Sequence, residues 1–183
     1  MAPMLSNMMR GVRCGMLGLA ALALANGAAI AAPSTLEPLS RSAPKSTRGD
    51  QSMLLAVTLA GQRLVAVGER GIVLTSDDNG VTWAQAEVPV SVLMTGVRFA
   101  TPDKGWAVGH SGVVLRTEDG GRTWSKSLDG ARAAALLLES ARKEGTSAGD
   151  AARRLAEAER LVKDGADKPF FDILIEGENK ALM

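Results

Sequence analysis

Tyrosine is missing altogether from the 183 residues, and cysteine and histidine occur once each. A zinc-type centre needs several nitrogen and sulfur ligands, and Cys14 with His110 does not supply such a set. A single cysteine also rules out an internal disulfide. Excess charge of one sign is lacking too, with 21 Lys and Arg against 20 Asp and Glu and a formal net charge of +1. That balance removes the basic footprint expected of a nucleic-acid-binding domain. The apolar run Met16 to Ala25 falls short of the ~20 residues a membrane-spanning helix requires.

That run has another use. Arg10 and Arg13 precede it, and small residues follow it up to Ala29-Ile30-Ala31. This is the layout of a secretory signal peptide, predicted over 1–31, with cleavage between Ala31 and Ala32. Cys14 precedes the apolar run and lacks a small-residue box before it, so it leaves with the signal instead of anchoring a lipid. The expected destination is the periplasm or another exported compartment. Residues 32–52, rich in Pro, Ser and charge, read as a flexible linker.

Beyond the linker the chain repeats itself. Val67 to Trp83 aligns without a gap on Val108 to Trp124, an interval of 41 residues. Repeats of about 40 to 50 residues containing several short strands are a propeller signature. In each unit an apolar strand (Leu64 to Val67, Gly105 to Val108) reaches a turn bounded by glycines, Gly68 and Gly71 or Gly109 and Gly112. Glycines there permit the positive φ of a tight hairpin. The returning strands, Ile72 to Leu74 and Val113 to Leu115, are unbroken apolar runs suited to a sheet covered on both faces.

Each unit then carries an Asp box, S/T-x-D-x-G-x-T-W. Ser76, Asp78, Gly80, Thr82 and Trp83 fill the first; Thr117, Asp119, Gly121, Thr123 and Trp124 fill the second. The aspartate is expected to accept hydrogen bonds from its own turn, the glycine to supply an unusual dihedral, and the tryptophan to pack between sheets. Asp77, Asp78, Glu118 and Asp119 invite a reading as general acids or calcium ligands. A calcium loop, however, needs oxygen ligands at alternating positions, whereas here one aspartate recurs at a fixed place. No catalytic, cofactor-binding or metal residue is assigned, and no cofactor is expected.

The string Trp106 to Trp124, W-A-V-G-x-x-G-x-V-L-x-T-x-D-G-G-x-T-W, resembles the repeat of photosystem II assembly and stability factor-like proteins, within the wider Asp-box or BNR-repeat group. The resemblance runs from about Met53 to Ser127. It implies a propeller, seven-bladed in that family, and a non-catalytic scaffold that binds a protein partner belonging to a membrane complex, with no nucleic acid or small-molecule substrate. The alternative is a BNR-repeat glycan-binding or glycosidase-like protein. Sialidases, which share Asp boxes, use a tyrosine nucleophile, and this chain has none.

The organisation expected is therefore all-β, with propeller blades over 53–88 and 89–129, a helical hairpin insertion over 130–165 and the start of a third blade over 166–183. Ala131 to Lys143 favours helix. Ser147-x-x-Asp150 resembles a capping box opening a second helix, with Ala151, Leu155, Ala158 and Val162 as its apolar stripe. Ile173-Leu174-Ile175 echoes Val97-Arg98-Phe99. Two blades and a fragment leave sheet edges and faces uncovered, so the chain is expected to be a truncated gene product or a fragment of a longer protein; the alternative is that several copies associate to cover them.

Overall fold

The structure, a computed structural model, describes residues 37–143, 149–165, 167–177 and 180–182. The predicted signal peptide, its Ala31–Ala32 junction and Ser147 lie outside these.

Two four-stranded antiparallel sheets follow one another. The first comprises β1 (Leu54–Ala60), β2 (Arg63–Gly68), β3 (Val73–Ser76) and β4 (Ala84–Gln85), in that spatial order. The second repeats the order with β5 (Met94–Phe99), β6 (Gly105–Gly109), β7 (Val114–Thr117) and β8 (Ser125–Leu128). Such meanders are consistent with partial propeller blades. A short pair, β9 (Leu174–Gly177) with β10 (Lys180–Leu182), follows the second sheet in the chain.

Strand alternation assigns each residue a face. Val65, Val67 and Val73 turn toward the second sheet and meet Val97, Ala107, Val113 and Leu115 there. The segment joining the sheets adds Ala86, Val88, Val90 and Val92 to this core. Each such valine, fully buried, contributes about 1.5–3 kcal/mol. One repeat later, Trp106, Val108 and Val114 occupy the positions of Val65, Val67 and Val73, and they meet Ile173, with Phe170 and Ile175 beside it. The inner strands are thus covered on both faces.

The hairpin turns divide their labour differently from the sequence expectation. Gly71 and Gly112 do adopt positive φ, at 74° and 63°. Gly68 and Gly109 are extended, at −168° and −172°. Their need is space: a Cβ on Gly68 would sit 2.0 Å from the Met53 carbonyl oxygen, and one on Gly109 2.3 Å from that of Leu93. The left-handed position before each second glycine falls to Arg70 and Ser111, side chains that reach that region less readily.

Residues 37–52 are not a free linker. A short helix α1 (Glu37–Ser40) places Leu39 in the inter-sheet core. Two backbone bonds pair this stretch with the connector: the Ser91 N–H donates to Pro38 O at 2.8 Å, and the Ala43 N–H to Val88 O at 2.9 Å. Lys126 Nζ donates to Leu39 O at 2.9 Å. Pro and Ser content does argue against regular structure, but composition is silent about backbone pairing with a distant segment.

Between β8 and β9 run two helices, α2 (Gly130–Lys143) and α3 (Gly149–Asp164). Asp129 caps the first, its carboxylate accepting the Arg132 N–H at 2.9 Å. Ala134, Ala141, Ala151 and Ala158 are buried, and such small side chains let helix backbones come close. Val162, placed in the apolar stripe by spacing, is instead 46% exposed. Leu161 is the half-buried residue of that turn, three positions after Ala158 where the spacing predicts four.

Candidate functional site

The recurrent polar constellation is the pair of Asp-box turns, each joining the third and fourth strands of its sheet. In the first, Asp78 Oδ1 accepts the Ser76 hydroxyl and the Thr82 N–H, each at 2.8 Å. Its Oδ2 accepts the Thr82 hydroxyl at 2.5 Å, and Ser76 Oγ accepts the Gly80 N–H at 2.8 Å. In the second, Asp119 Oδ1 accepts the Thr117 hydroxyl at 2.8 Å and the Arg122 and Thr123 N–H groups at 2.9 and 3.0 Å. Its Oδ2 accepts the Thr123 hydroxyl at 2.6 Å. Gly80 and Gly121 stand at φ 88° and 85°, which a side chain would strain.

These bonds favour the charged carboxylates. The Thr82 hydroxyl, then the Thr82 N–H and Ser76 hydroxyl, lower Asp78 from 3.8 to about 2. At Asp119 burial is the largest influence and pushes upward, yet the Thr123 and Thr117 bonds together prevail and the pKa is lowered. A carboxylate ionised far below neutrality, with its oxygens already engaged, is no proton donor at pH 7. Asp77 is lowered first by the Arg63 hydrogen bond, and Glu118 pairs with Arg116 at 3.0 Å. His110 is exposed in its turn. Among the described residues no cluster of His, Cys, Asp and Glu could hold a metal ion.

A pH dependence follows. Asp78 has a folded pKa below its unfolded value, so its contribution to stability is complete above about pH 4 and is lost as pH falls toward 2. Thermal unfolding followed across that window is expected to show a steeper acid loss for the wild type than for Asp78→Asn. Parallel curves would contradict it.

The tryptophans of the two boxes are placed differently. Trp124 is 6% exposed, packed in the inter-sheet core edge-on to Phe99 with ring centroids 6.1 Å apart. Its Nε1 donates to Gly121 O at 3.0 Å. Trp83 is half-buried and lines a cavity with Thr47, Gly49 and Asp50 of the N-terminal stretch.

One residue that motif reading overlooks ties the repeats together. Arg63 Nε and Nη2 grip the Asp77 carboxylate at 2.6 and 2.9 Å, while Nη1 donates to Gly120 O in the second turn at 3.2 Å. The hairpin register carries a signal for it, because Leu64 opposite Ser76 sets Arg63 opposite Asp77.

Two concavities accompany the turns. One, of about 420 Å³, lies between the N-terminal stretch and the second box, lined by Ala43, Lys45, Glu87, Pro89, Thr123 and Trp124 among others. The other, of about 180 Å³, is apolar, set between α2, α3 and the Gly112 turn, with Ala134, Leu137, Leu161 and Phe170 in its walls.

Residues 78–148, running from the first box through the second sheet and α2, match the family model of the photosynthesis system II assembly factor YCF48. Over this segment the chain is similar to that family. A solved structure of YCF48 bound to a D1 peptide is similar at 26% identity and a TM-score of 0.39, over 43% of this chain and 26% of that one. YCF48 from Cyanidioschyzon merolae is similar at 27% identity and a TM-score of 0.37, over 48% of this chain and 29% of the other. The chain therefore spans less than a third of either structure. No curated protein matches it.

Proposed function

We propose that this chain is an exported, non-catalytic scaffold of the YCF48 type, built on propeller blades and binding an extended peptide of a membrane protein complex. The observation that carries the reading is the family match over 78–148, joined to Asp boxes whose acids are spent on their own turns. A YCF48 structure holds a D1 peptide; by analogy we assign a peptide of photosystem II type to this chain. The apolar concavity between α2, α3 and the Gly112 turn is the surface we assign to it, because aliphatic anchors of a peptide gain most from such walls. The glycosidase-like alternative has neither a tyrosine nor a free box carboxylate in its favour.

Calorimetric titration of the exported chain with a synthetic D1 peptide tests the reading. Micromolar binding is expected, weakened at least tenfold by Leu137→Glu, which adds a charge to a half-exposed wall residue. No heat of binding at millimolar peptide would overturn the assignment. Export itself has a separate check, since N-terminal sequencing of the secreted protein is expected to begin at Ala32; a chain starting at Met1 would contradict it.

A further inference from the structure

Two side chains that clasp the N-terminal stretch stand one repeat apart. Gln85 on β4 lies opposite Leu74, and Lys126 on β8 lies opposite Leu115, at the interval of 41 residues that separates the boxes. Each holds backbone atoms of residues 37–52. Gln85 Oε1 accepts the Ser46 N–H and its Nε2 donates to Pro44 O, both at 2.9 Å. Lys126 Nζ donates to Leu39 O at 2.9 Å. The change from Gln to Lys has a consequence. The amide has both its oxygen and its nitrogen engaged with the stretch, whereas an ammonium carries three donors. A second donor of Lys126 goes to Asp129 Oδ2 at 2.8 Å.

Asp129 is the residue on which α2 begins. Its Oδ1 accepts the Arg132 N–H at 2.9 Å, and its carbonyl oxygen accepts the Ala133 N–H at 2.8 Å. Burial works to raise its pKa, yet the Lys126 bond and then the Arg132 N–H prevail and it is lowered. Gly130, Ala133 and Ala134, on the turn so opened, stand in the walls of the apolar concavity. One lysine thus joins the carbonyl of a residue buried between the sheets to the cap of a helix that walls a cavity. The stretch itself is held by Leu39 and a few bonds, and segments so held open more readily than inner strands. We propose that residues 37–46 form a strap with a seated and a lifted state, and that Lys126 transmits the seated state to the first turn of α2. Seated, Leu39 O holds the ammonium where it fixes the Asp129 carboxylate as cap. Lifted, the ammonium loses that acceptor and the cap its fixed partner, so the turn and the wall it carries lose order. Lys126 is a positioning residue, acting through Asp129. By linkage, a peptide that needs the ordered wall also favours the seated strap. That last consequence rests on the function proposed above, whereas the coupling itself does not.

Amide hydrogen exchange of the exported chain, read residue by residue by nuclear magnetic resonance, tests this. Leu39→Ala is expected to unseat the strap, seen as at least tenfold faster exchange at Ser91, whose N–H pairs with Pro38 O. The Arg132 and Ala133 amides are expected to speed up at least fivefold in the same variant. The inner-strand amides of Val65 and Leu115 are expected to change less, since simple destabilisation would speed all of them alike. In a Lys126→Met background, adding Leu39→Ala is expected to leave Arg132 and Ala133 as they are in Lys126→Met alone. Unchanged Arg132 and Ala133 amides in Leu39→Ala overturn the proposal, and so does an equal acceleration with and without Lys126. If Leu39→Ala does not fold, Leu39→Val gives the same comparison with a smaller effect. Titration with the D1 peptide separates this from the function proposed above. If the wild type binds no peptide but the exchange pattern is found, the peptide assignment falls and the coupling of the strap to α2 stands.

Discussion

Replacing Trp124 with alanine is expected to cost about 3–5 kcal/mol, as for other large aromatic truncations in packed interiors. The ring fills the seam between the two sheets, edge-on to Phe99, and its N–H satisfies the Gly121 carbonyl. Truncation leaves a cavity where the second sheet meets the first and an acceptor without its donor. The same change at Trp83 is expected to cost clearly less, because that ring is only half-buried beside Thr47 and Gly49. Urea denaturation of the two variants, followed by far-ultraviolet circular dichroism, provides the comparison. Equal losses would contradict the placement of Trp124 as the inter-sheet wedge.

The second large effect is expected at Asp119. Its carboxylate accepts four hydrogen bonds, from the Thr117 hydroxyl, the Arg122 N–H, and the N–H and hydroxyl of Thr123. Asp119→Ala removes all four at once, leaving the buried Thr117 hydroxyl without its acceptor while the exposed Arg122 and Thr123 donors turn to water, an expected loss of about 3 kcal/mol on the scale of bonds to charged acceptors. Asp119→Asn keeps one oxygen for the backbone donors, and its loss is expected to be nearer 1 kcal/mol. Glu118→Ala, one residue away and exposed, is the control, with a change expected within about 0.5 kcal/mol. If Asp119→Ala unfolds at the same urea concentration as the control, the turn does not depend on its carboxylate.

Much of the site is legible in the sequence. An interval of 41 residues carrying the same glycines, the same apolar runs and the same box twice fixes strand order within each unit, because local turns decide how neighbouring strands pair. The bonding of Asp78 and Asp119 is local as well, every donor lying within four residues of its acceptor. What escaped reading was of longer range. The pairing of Ala43 with Val88, and of Lys126 with the Leu39 carbonyl, joins segments that share no motif. Gly68 and Gly109 look in sequence like turn glycines, yet their role is to make room for the carbonyl of the residue just before the preceding strand. Leu161 replaced Val162 on the inner side of α3 because helical spacing of three or four residues leaves both within reach of one stripe.

By itself, then, the sequence determined what depends on near neighbours: two units of four strands, glycines at their turns, aspartates spent on local hydrogen bonds, and an alanine-rich helical pair between the second unit and the tail. Only the tertiary structure decided which of two matching boxes holds its tryptophan in a core. It likewise decided that Arg63 spans from one unit to the next, and that Val57 is exposed where its counterpart Val97 is buried. The physical reason is that repeats alike in pattern are unequal in position. Each sheet's burial is set by what lies before and after it along the stack, and that is a property of the assembly of sheets rather than of any one of them.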